Sequence, residues 1–474
     1  MQFTSLQYAG FLAALLAIYW NLPTRYRPAL LLVASYLFYA TWNPWTLILL
    51  VLTTGTSWST ARAIPGAADP RRRLLLGLAV LVSVGVLTLY KVIDVVAGSG
   101  GLGSASRWAI PVGLSFFNFQ AISYVVDVYR GDVEARRSIV DVALYIAFFP
   151  HLLAGPIVRA AKLIPAFHDV PRRPNTIQWS EAGELILVGV LKKVVLADPI
   201  TSNIATLAIH RNDFSSVNVV VALVGGIVSA YFNITAYVDI ARGSAKLLGI
   251  DMQRNSLSPL LSSTGYADFW RRWQLTVMMW FRDYVFRPLR GDGRSTRRET
   301  FALFGTFAVL GAWHGLSPGW LLWGAASGAI IVAERAIQAK GAAKRRAALR
   351  AARRAGRRPT KPRRAPHWAK LTLTYALVAL TLPLISTTQL SEALHTYSVF
   401  VTWRGGRVDR DLVWMTAMAV VALVLLDRRE QRREEHAGRV DPLTLARVSA
   451  YGAAVLAIVV FSGTAAQPFL YFRF

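Results

Sequence analysis

The 474-residue chain holds seven histidines and no cysteine, so acid–base chemistry near neutral pH falls first on imidazole. His168, His210, His367, His395 and His436 stand in polar or loop-like surroundings. His151 and His314 are embedded in apolar sequence, where an ionisable group is costly and marks a functional candidate. His314 lies in LGAWHGLSPGWLLWG, where Gly311 and Gly315 allow close backbone approach and Trp313 supplies a wall. A neutral imidazole there can take a proton from a hydroxyl as that oxygen attacks an acyl carbonyl. The alternative is a histidine bonded to a backbone carbonyl at a helix end, and spacing alone does not choose between them. His151 follows Phe148, Phe149 and Pro150 and precedes Ala154, Gly155 and Pro156. Two prolines and a glycine in one apolar stretch predict a broken or re-entrant helix of the kind that lines a cavity. His151 therefore reads as a lining or packing residue, a substrate-binding candidate and not a catalytic one.

Other chemistries are excluded or unsupported. Without cysteine there is no disulfide, thiolate metal site, S-palmitoylation or cysteine-linked acyl-enzyme. No P-loop, dinucleotide fingerprint or metal-ligand cluster occurs, and neither Ser115 nor Ser462 sits in a nucleophile elbow. Asp127, Asp198 and Asp239 fall at or near the ends of apolar runs, with Lys192 and Lys193 inside one. Each can snorkel or pair with a neighbour, and a proton relay is the sharper alternative.

The elements that must position these residues are membrane helices. Hydrophobic residues make up 54% of the chain and charged residues 17%, with a mean hydropathy of +0.39. A soluble protein has too little interior for that much apolar surface, whereas a bilayer accepts it in runs of about 20 residues. Candidate spans lie near 6–22, 28–42, 45–60, 74–91, 108–129, 139–155, 182–209, 216–238, 300–314, 317–336, 368–388, 412–426 and 445–465. Several are short, which predicts ten to twelve full crossings together with re-entrant or interfacial pieces in an all-α polytopic fold. The first run lacks a basic start and a small-residue cleavage site, so it reads as a retained span.

The net charge of +27 reads as basic loops held on the cytoplasmic side against anionic lipid, not as a nucleic-acid surface. Arg25 and Arg27, Arg62 with Arg71 to Arg73, and Arg130 with Arg136 and Arg137 fall on one face if every span crosses. That face is then cytoplasmic and the N-terminus outside. The basic stretch within 339–367, including AKRRAALRAARRAGRRPTKPRRAP, reads as a solvated cytoplasmic insertion in a single membrane domain spanning 1–474. Its first half is compatible with helix, and Gly356, Pro359 and Pro362 break the second. No internal repeat is visible, which argues against an inverted-repeat transporter.

The stretch FWRRWQLTVMMWFRDYVFRPLR, Phe269 to Arg290, is aromatic and basic together. Trp270, Trp273, Val277, Trp280, Phe281 and Tyr284 recur at helical spacing, while Arg271, Arg272, Arg282, Arg287 and Arg290 carry too much charge to cross. That predicts a helix lying in the interface or entering the protein at an angle.

In this order the motifs carry a resemblance. SYLFYATWNPW (35–45), PVGLSFFNFQAISYVVDVYRG (111–131), FFPHLLAGPIVRA (148–160), LKKVVLAD (191–198), FWRRWQLTVMMWFRDYVFRPL (269–289), GAWHG (311–315) and QPFLYFRF (from Gln467) run nearly end to end. Together they resemble the membrane-bound O-acyltransferase family. The bacterial branch is the nearer one, with membrane proteins of alginate and peptidoglycan O-acetylation and of teichoic-acid D-alanylation. The resemblance implies a helical fold around a tunnel that joins a cytoplasmic donor to an extracellular acceptor. It places the family histidine on His314.

A second histidine of related bacterial members falls on Gln274, whose amide can donate a hydrogen bond or orient a hydroxyl but cannot act as a base. In YFNITAYVDIARG, Asn233 stands where relatives carry an acidic residue, Thr235 and Ala236 replace Ser-Gly, and Asp239 is retained. The resemblance thus implies His314 and Gln274 as the catalytic pair. The substrate-binding candidates are Trp313, Trp270, Trp273, Arg271, Arg272, Arg282, Asp283, His151, Asn233 and Asp239.

The expected activity is transfer of an acetyl or other short acyl group from a cytoplasmic thioester to a hydroxyl of an envelope glycan, lipid or carrier, in the plasma membrane. The donor substrate is an acyl-CoA or acyl-carrier protein, and no cofactor or metal is bound permanently. Membrane lipid, the envelope acceptor and an extracellular SGNH-type transferase are the expected partners, with no nucleic acid. Relay of the acyl group to that separate transferase is the first alternative, with a transporter or flippase behind it and a silent scaffold last.

Overall fold

A computed structural model describes residues 1–96, 110–153, 155–209, 215–255, 260–293, 295–355, 365–386, 390–435 and 445–462. Ala154, His210, Gly356, Pro359, Pro362, His436 and the terminal segment from Gln467 lie outside the described residues. Helices α1 (Leu6–Asn21), α2 (Arg27–Ala40), α3 (Leu47–Ala63) and α4 (Asp69–Val96) form the N-terminal part. Ser5 caps α1 by accepting from the Tyr8 amide, and Pro28 occupies the first turn of α2, where a missing N–H costs nothing. Then come α5 (Leu114–Arg130), α6 (Ile139–Ala147), α7 (Phe149–Leu152), α8 (Ala160–Ala166) and α9 (Thr176–Leu191). A π-helical turn at Lys192–Ala197 joins α9 to α10 (Asp198–Ile209), and α11 (Ser216–Leu247) follows. The second half holds α12 (Tyr266–Arg272), α13 (Leu275–Phe281), α14 (Arg287–Arg290), α15 (Thr296–His314) and α16 (Pro318–Arg354). It closes with α17 (His367–Thr381), α18 (Pro383–Ser386), α19 (Leu390–Thr402), α20 (Arg410–Glu435) and α21 (Leu445–Phe461), and no strand occurs among the described residues.

Among the described residues, four helices are long and apolar enough to cross a bilayer: Asp69–Ile93, Ser216–Leu247, Pro318–Arg354 and His367–Ile385. In the first, only 11% of the apolar window is buried in protein, so most of its hydrophobic surface is left for lipid. Apolar helices of 14 to 17 residues, α1, α2, α3, α5 and α21, accompany them. At 1.5 Å per residue these are about 21–26 Å long, short of a hydrocarbon core of about 30 Å. The first half of the basic segment continues α16 as helix with exposed side chains.

Helix α5 is buried nearly all round and partitions the interior. Phe117, Ala121, Tyr124, Val125 and Val128 recur at helical spacing and face one apolar core with the N-terminal helices and α6 to α8. Phe116, Phe119 and Ile122 face a second core built from α10, α12, α13, α15, α16 and α20. Helix α11 is shared likewise, with Ile227, Val228, Tyr231 and Phe232 in the second core and Tyr237, Ile240 and Ala241 in the first.

The stretch 269–290 departs from one continuous helix. Trp273 is extended (φ −80°, ψ 128°) and Gln274 is left-handed (φ 44°, ψ 53°), so the chain breaks between α12 and α13. A non-glycine residue at positive φ is strained and persists only where its surroundings impose it. Here the Leu275 amide donates to the Asn255 carbonyl at 2.6 Å, and Asn255 Oδ1 accepts from the Thr276 amide and hydroxyl at 2.9 and 2.5 Å. Helical spacing holds for Val277, Trp280, Phe281 and Tyr284, while Trp270 and Trp273 are aimed independently.

Candidate active site

His314 is the last residue of α15, because Gly315 turns extended (φ −169°, ψ 155°) and ends the helix. Its imidazole is held in an indole cage. It stacks on Trp320 at 4.7 Å with a 14° interplanar angle, and meets Trp313 at 4.4 Å and the edge of Trp323 at 5.6 Å. Two glycines allow the cage to close. A side chain at Gly315 would collide with the Trp320 indole at 2.4 Å, and one at Gly311 with the Trp320 carbonyl at 2.6 Å. Beside the ring lies a small open-mouthed pocket with room for about one water molecule, lined by His314, Trp313, Leu153 and residues Ile110, Pro111 and Gly113 to Phe116 at the start of α5. That turn is pinned: Gly113 has φ +79°, and a Cβ there would meet the Leu152 carbonyl oxygen at 2.6 Å.

The cage extends toward α12 and α13. Trp323 contacts Trp270 at 5.6 Å, and Trp313 packs on Phe119 and Phe281 at 5.1 and 5.8 Å. Trp273 stacks on Phe269 at 5.4 Å and meets Tyr231 of α11 at 5.9 Å. Gln274 is 8% exposed at the break that follows Trp273. The structure thus gathers His314, Trp313 and, through Trp323, Trp270 around one aromatic surface, with Trp273 and Gln274 on the adjoining turn.

The remaining candidates lie elsewhere. His151 is 1% exposed, packs on Phe148 at 5.7 Å and faces the Tyr145 and Ile146 carbonyls. Neither of its ring nitrogens reaches hydrogen-bond geometry with a described residue. Its neighbours Leu152 and Leu153 belong to the first apolar core, and Leu153 lines the pocket. Arg271 and Arg272 pair with Asp268 at 3.3 and 3.4 Å. Asn233 is buried on α11, and Asp239 binds Lys192 Nζ at 2.6 Å beside the π-helical turn. Lys193 and Asp198 pair across the same turn at 2.5 Å.

Arg282 and Asp283 belong to an ionic cluster at the far end of α5. Asp283 pairs with Arg159 at 2.7 Å and with Arg282 at 2.8 Å, and its carbonyl accepts from Arg130 at 3.0 Å. The Tyr284 hydroxyl donates to Asp127 at 2.7 Å. Burial pushes the Asp283 carboxyl up, but Arg282, Arg159 and Arg287 outweigh it and hold it below the usual carboxylate range. From Leu114 beside the pocket to Asp127 in this cluster is thirteen residues, about 20 Å along the helix axis.

Three residues at the site escaped the sequence reading. Trp320 and Trp323 complete the cage, and their i, i+3 spacing on the helix following His314 was the available signal. Lys91 of α4 is 5% exposed and donates from Nζ to the His314 carbonyl at 3.0 Å. A lone lysine inside the apolar run that follows Arg73 was its signal.

The comparisons agree with this architecture. The profile of MBOAT, the membrane-bound O-acyltransferase family, matches residues 102–343, from before α5 to the start of the basic part of α16. The probable alginate O-acetylase AlgI of Pseudomonas putida is 34% identical over 346 residues, which is 69% of each chain. The Pseudomonas aeruginosa protein of the same name is also 34% identical over 346 residues, and there the match takes in 64% of the relative. The peptidoglycan O-acetyltransferase of Helicobacter pylori is 28% identical over 338 residues (65% of this chain, 64% of that one). The teichoic acid D-alanyltransferase of Bacillus subtilis is 25% identical over 225 residues (45% and 56%). The chain belongs to the membrane-bound O-acyltransferase family, and it is a polytopic helical membrane protein of the acyltransferase class.

Proposed function

We propose that the protein transfers an acetyl or other short acyl group from a cytoplasmic thioester, an acyl-CoA or acyl-carrier protein, to a hydroxyl of an envelope glycan, lipid or intermediate carrier. The observation that carries this reading is the His314 imidazole, fixed in an indole cage at the edge of a pocket inside an apolar fold. The imidazole takes the hydroxyl proton as the oxygen attacks the thioester carbonyl. The tetrahedral intermediate then collapses, the C–S bond breaks, and the imidazolium returns its proton to the departing thiolate. Gln274, with backbone donors near it, steadies the carbonyl oxygen as it gains charge. The tryptophans exclude water, which keeps the thioester from hydrolysis.

The pocket lies at the opposite end of α5 from Arg130, Arg159 and Arg282. With the arginine-rich end on the cytoplasmic side, the N-terminus outside and the membrane a plasma membrane, donor and acceptor approach from opposite faces. Incubation of membranes with a radiolabelled acyl thioester tests the reading. Wild-type protein consumes donor and releases free thiol, and His314→Ala does neither. Label reaching a glycan only when a secreted SGNH-type transferase is added would make the protein the relay in a two-step transfer. Movement of an intact substrate without loss of the acyl group would make it a transporter.

A further inference from the structure

We propose that Lys91 is a positioning residue for His314, its ammonium pinning the end of α15 so that the imidazole keeps one orientation toward the pocket. This rests on His314 being the base. Lys91 is the only charged residue of the chain between Arg73 and Asp94, on a helix otherwise apolar enough to face lipid. It is nevertheless 5% exposed, on the same stripe as partly buried Leu87 and buried Ser83, four and eight residues earlier. An ammonium in such a place is costly, so it needs a polar partner. The Nζ finds one in the His314 carbonyl, 223 residues away in sequence.

That carbonyl is one of the orphans a helix leaves at its C-terminus, and it lies at the negative end of the helix dipole. Stacking on Trp320 sets the tilt of the ring. Its position depends on the backbone from which it hangs, and there the helix has just ended in an extended glycine. The lysine bond crosses from another helix to the one residue whose displacement would move the base. A shift of about 1 Å in such a group can cost on the order of 10²-fold in rate while leaving substrate binding intact.

The test compares four proteins reconstituted in lipid nanodiscs: wild type, Lys91→Met, Lys91→Arg and His314→Ala. Each is assayed for thiol release from a labelled acyl thioester and for thermal unfolding. Lys91→Met keeps length and removes a buried charge, a change that is often neutral or stabilising for the fold. Its kcat should fall about 10- to 100-fold with donor KM unchanged, and Lys91→Arg should recover most of the loss. Wild-type kcat in Lys91→Met, a rise in KM that accounts for the loss, or a Lys91→Arg protein as slow as Lys91→Met overturns the proposal. If Lys91→Met does not fold, Lys91→Gln takes its place under the same kcat and KM criteria. His314→Ala separates the two levels. An inactive His314→Ala beside a fully active Lys91→Met removes only the role of Lys91, whereas an active His314→Ala removes the base itself.

Discussion

Two histidines sit in apolar sequence, and the fold treats them differently. His151 is enclosed by the first core, against Phe148 and the carbonyl ends of α6, on a turn whose job is to carry Leu153 to the pocket. His314 stands at a helix end where the chain turns away, with indole faces around it and open space beside it. Both positions are expensive for an ionisable group, so burial alone does not identify a base. Access does. A proton acceptor must reach a substrate hydroxyl, and of these two rings only that of His314 lines the pocket.

Substitutions can break or sharpen this contrast. The largest effect should come from His314→Ala: loss of a placed base costs roughly 10²–10⁴ in rate. The protein should still insert and unfold cooperatively, as thiol release and a melting curve on one preparation would show. Gln274 comes next. Gln274→Ala should lower kcat about tenfold, the scale on which one oriented donor in an oxyanion site begins to matter. Gln274→Gly should lose the same activity while unfolding at a higher temperature than Gln274→Ala, because glycine accepts φ 44° without strain. Equal melting temperatures would show that the left-handed turn is held without strain.

Gly113→Ala should act on stability first, by more than about 1 kcal/mol, since the new methyl meets the Leu152 carbonyl at a positive φ. A lowered melting temperature with a partial loss of transfer is the expected pattern. The smallest effect belongs to His151→Leu. Replacing a buried ring whose nitrogens reach no described hydrogen-bond partner should leave the melting temperature unchanged or raised, and transfer within about threefold. A hundredfold loss in His151→Leu would erase the contrast and place both histidines in the chemistry.

Much of the fold was legible in composition and period. The long apolar runs became helices, the retained motifs of 111–131 and 148–160 met at the pocket, and GAWHG delivered its histidine to a glycine-terminated helix end. The stretch 269–290 was misjudged as one helix because its aromatic spacing is helical throughout. The chain breaks at Gln274, where the Leu275 amide donates to the distant Asn255 carbonyl, and no local pattern announces such a partner. Arg282 and Asp283 share a segment with Trp270, but Asp283 pairs with Arg159 and Arg282 in the ionic cluster at the far end of α5.

The chain by itself determined that this is a helical membrane protein, that its chemistry must run without cysteine, and that an imidazole in apolar surroundings was the group to watch. Those conclusions follow from transfer energies and side-chain inventory, which belong to residues one at a time. Only the tertiary structure decided which buried histidine meets open space, which tryptophans surround it, and that a lysine 223 residues away holds the carbonyl at its helix end. Those are relations set by how whole helices pack against one another, which spacing along the chain can signal but does not fix.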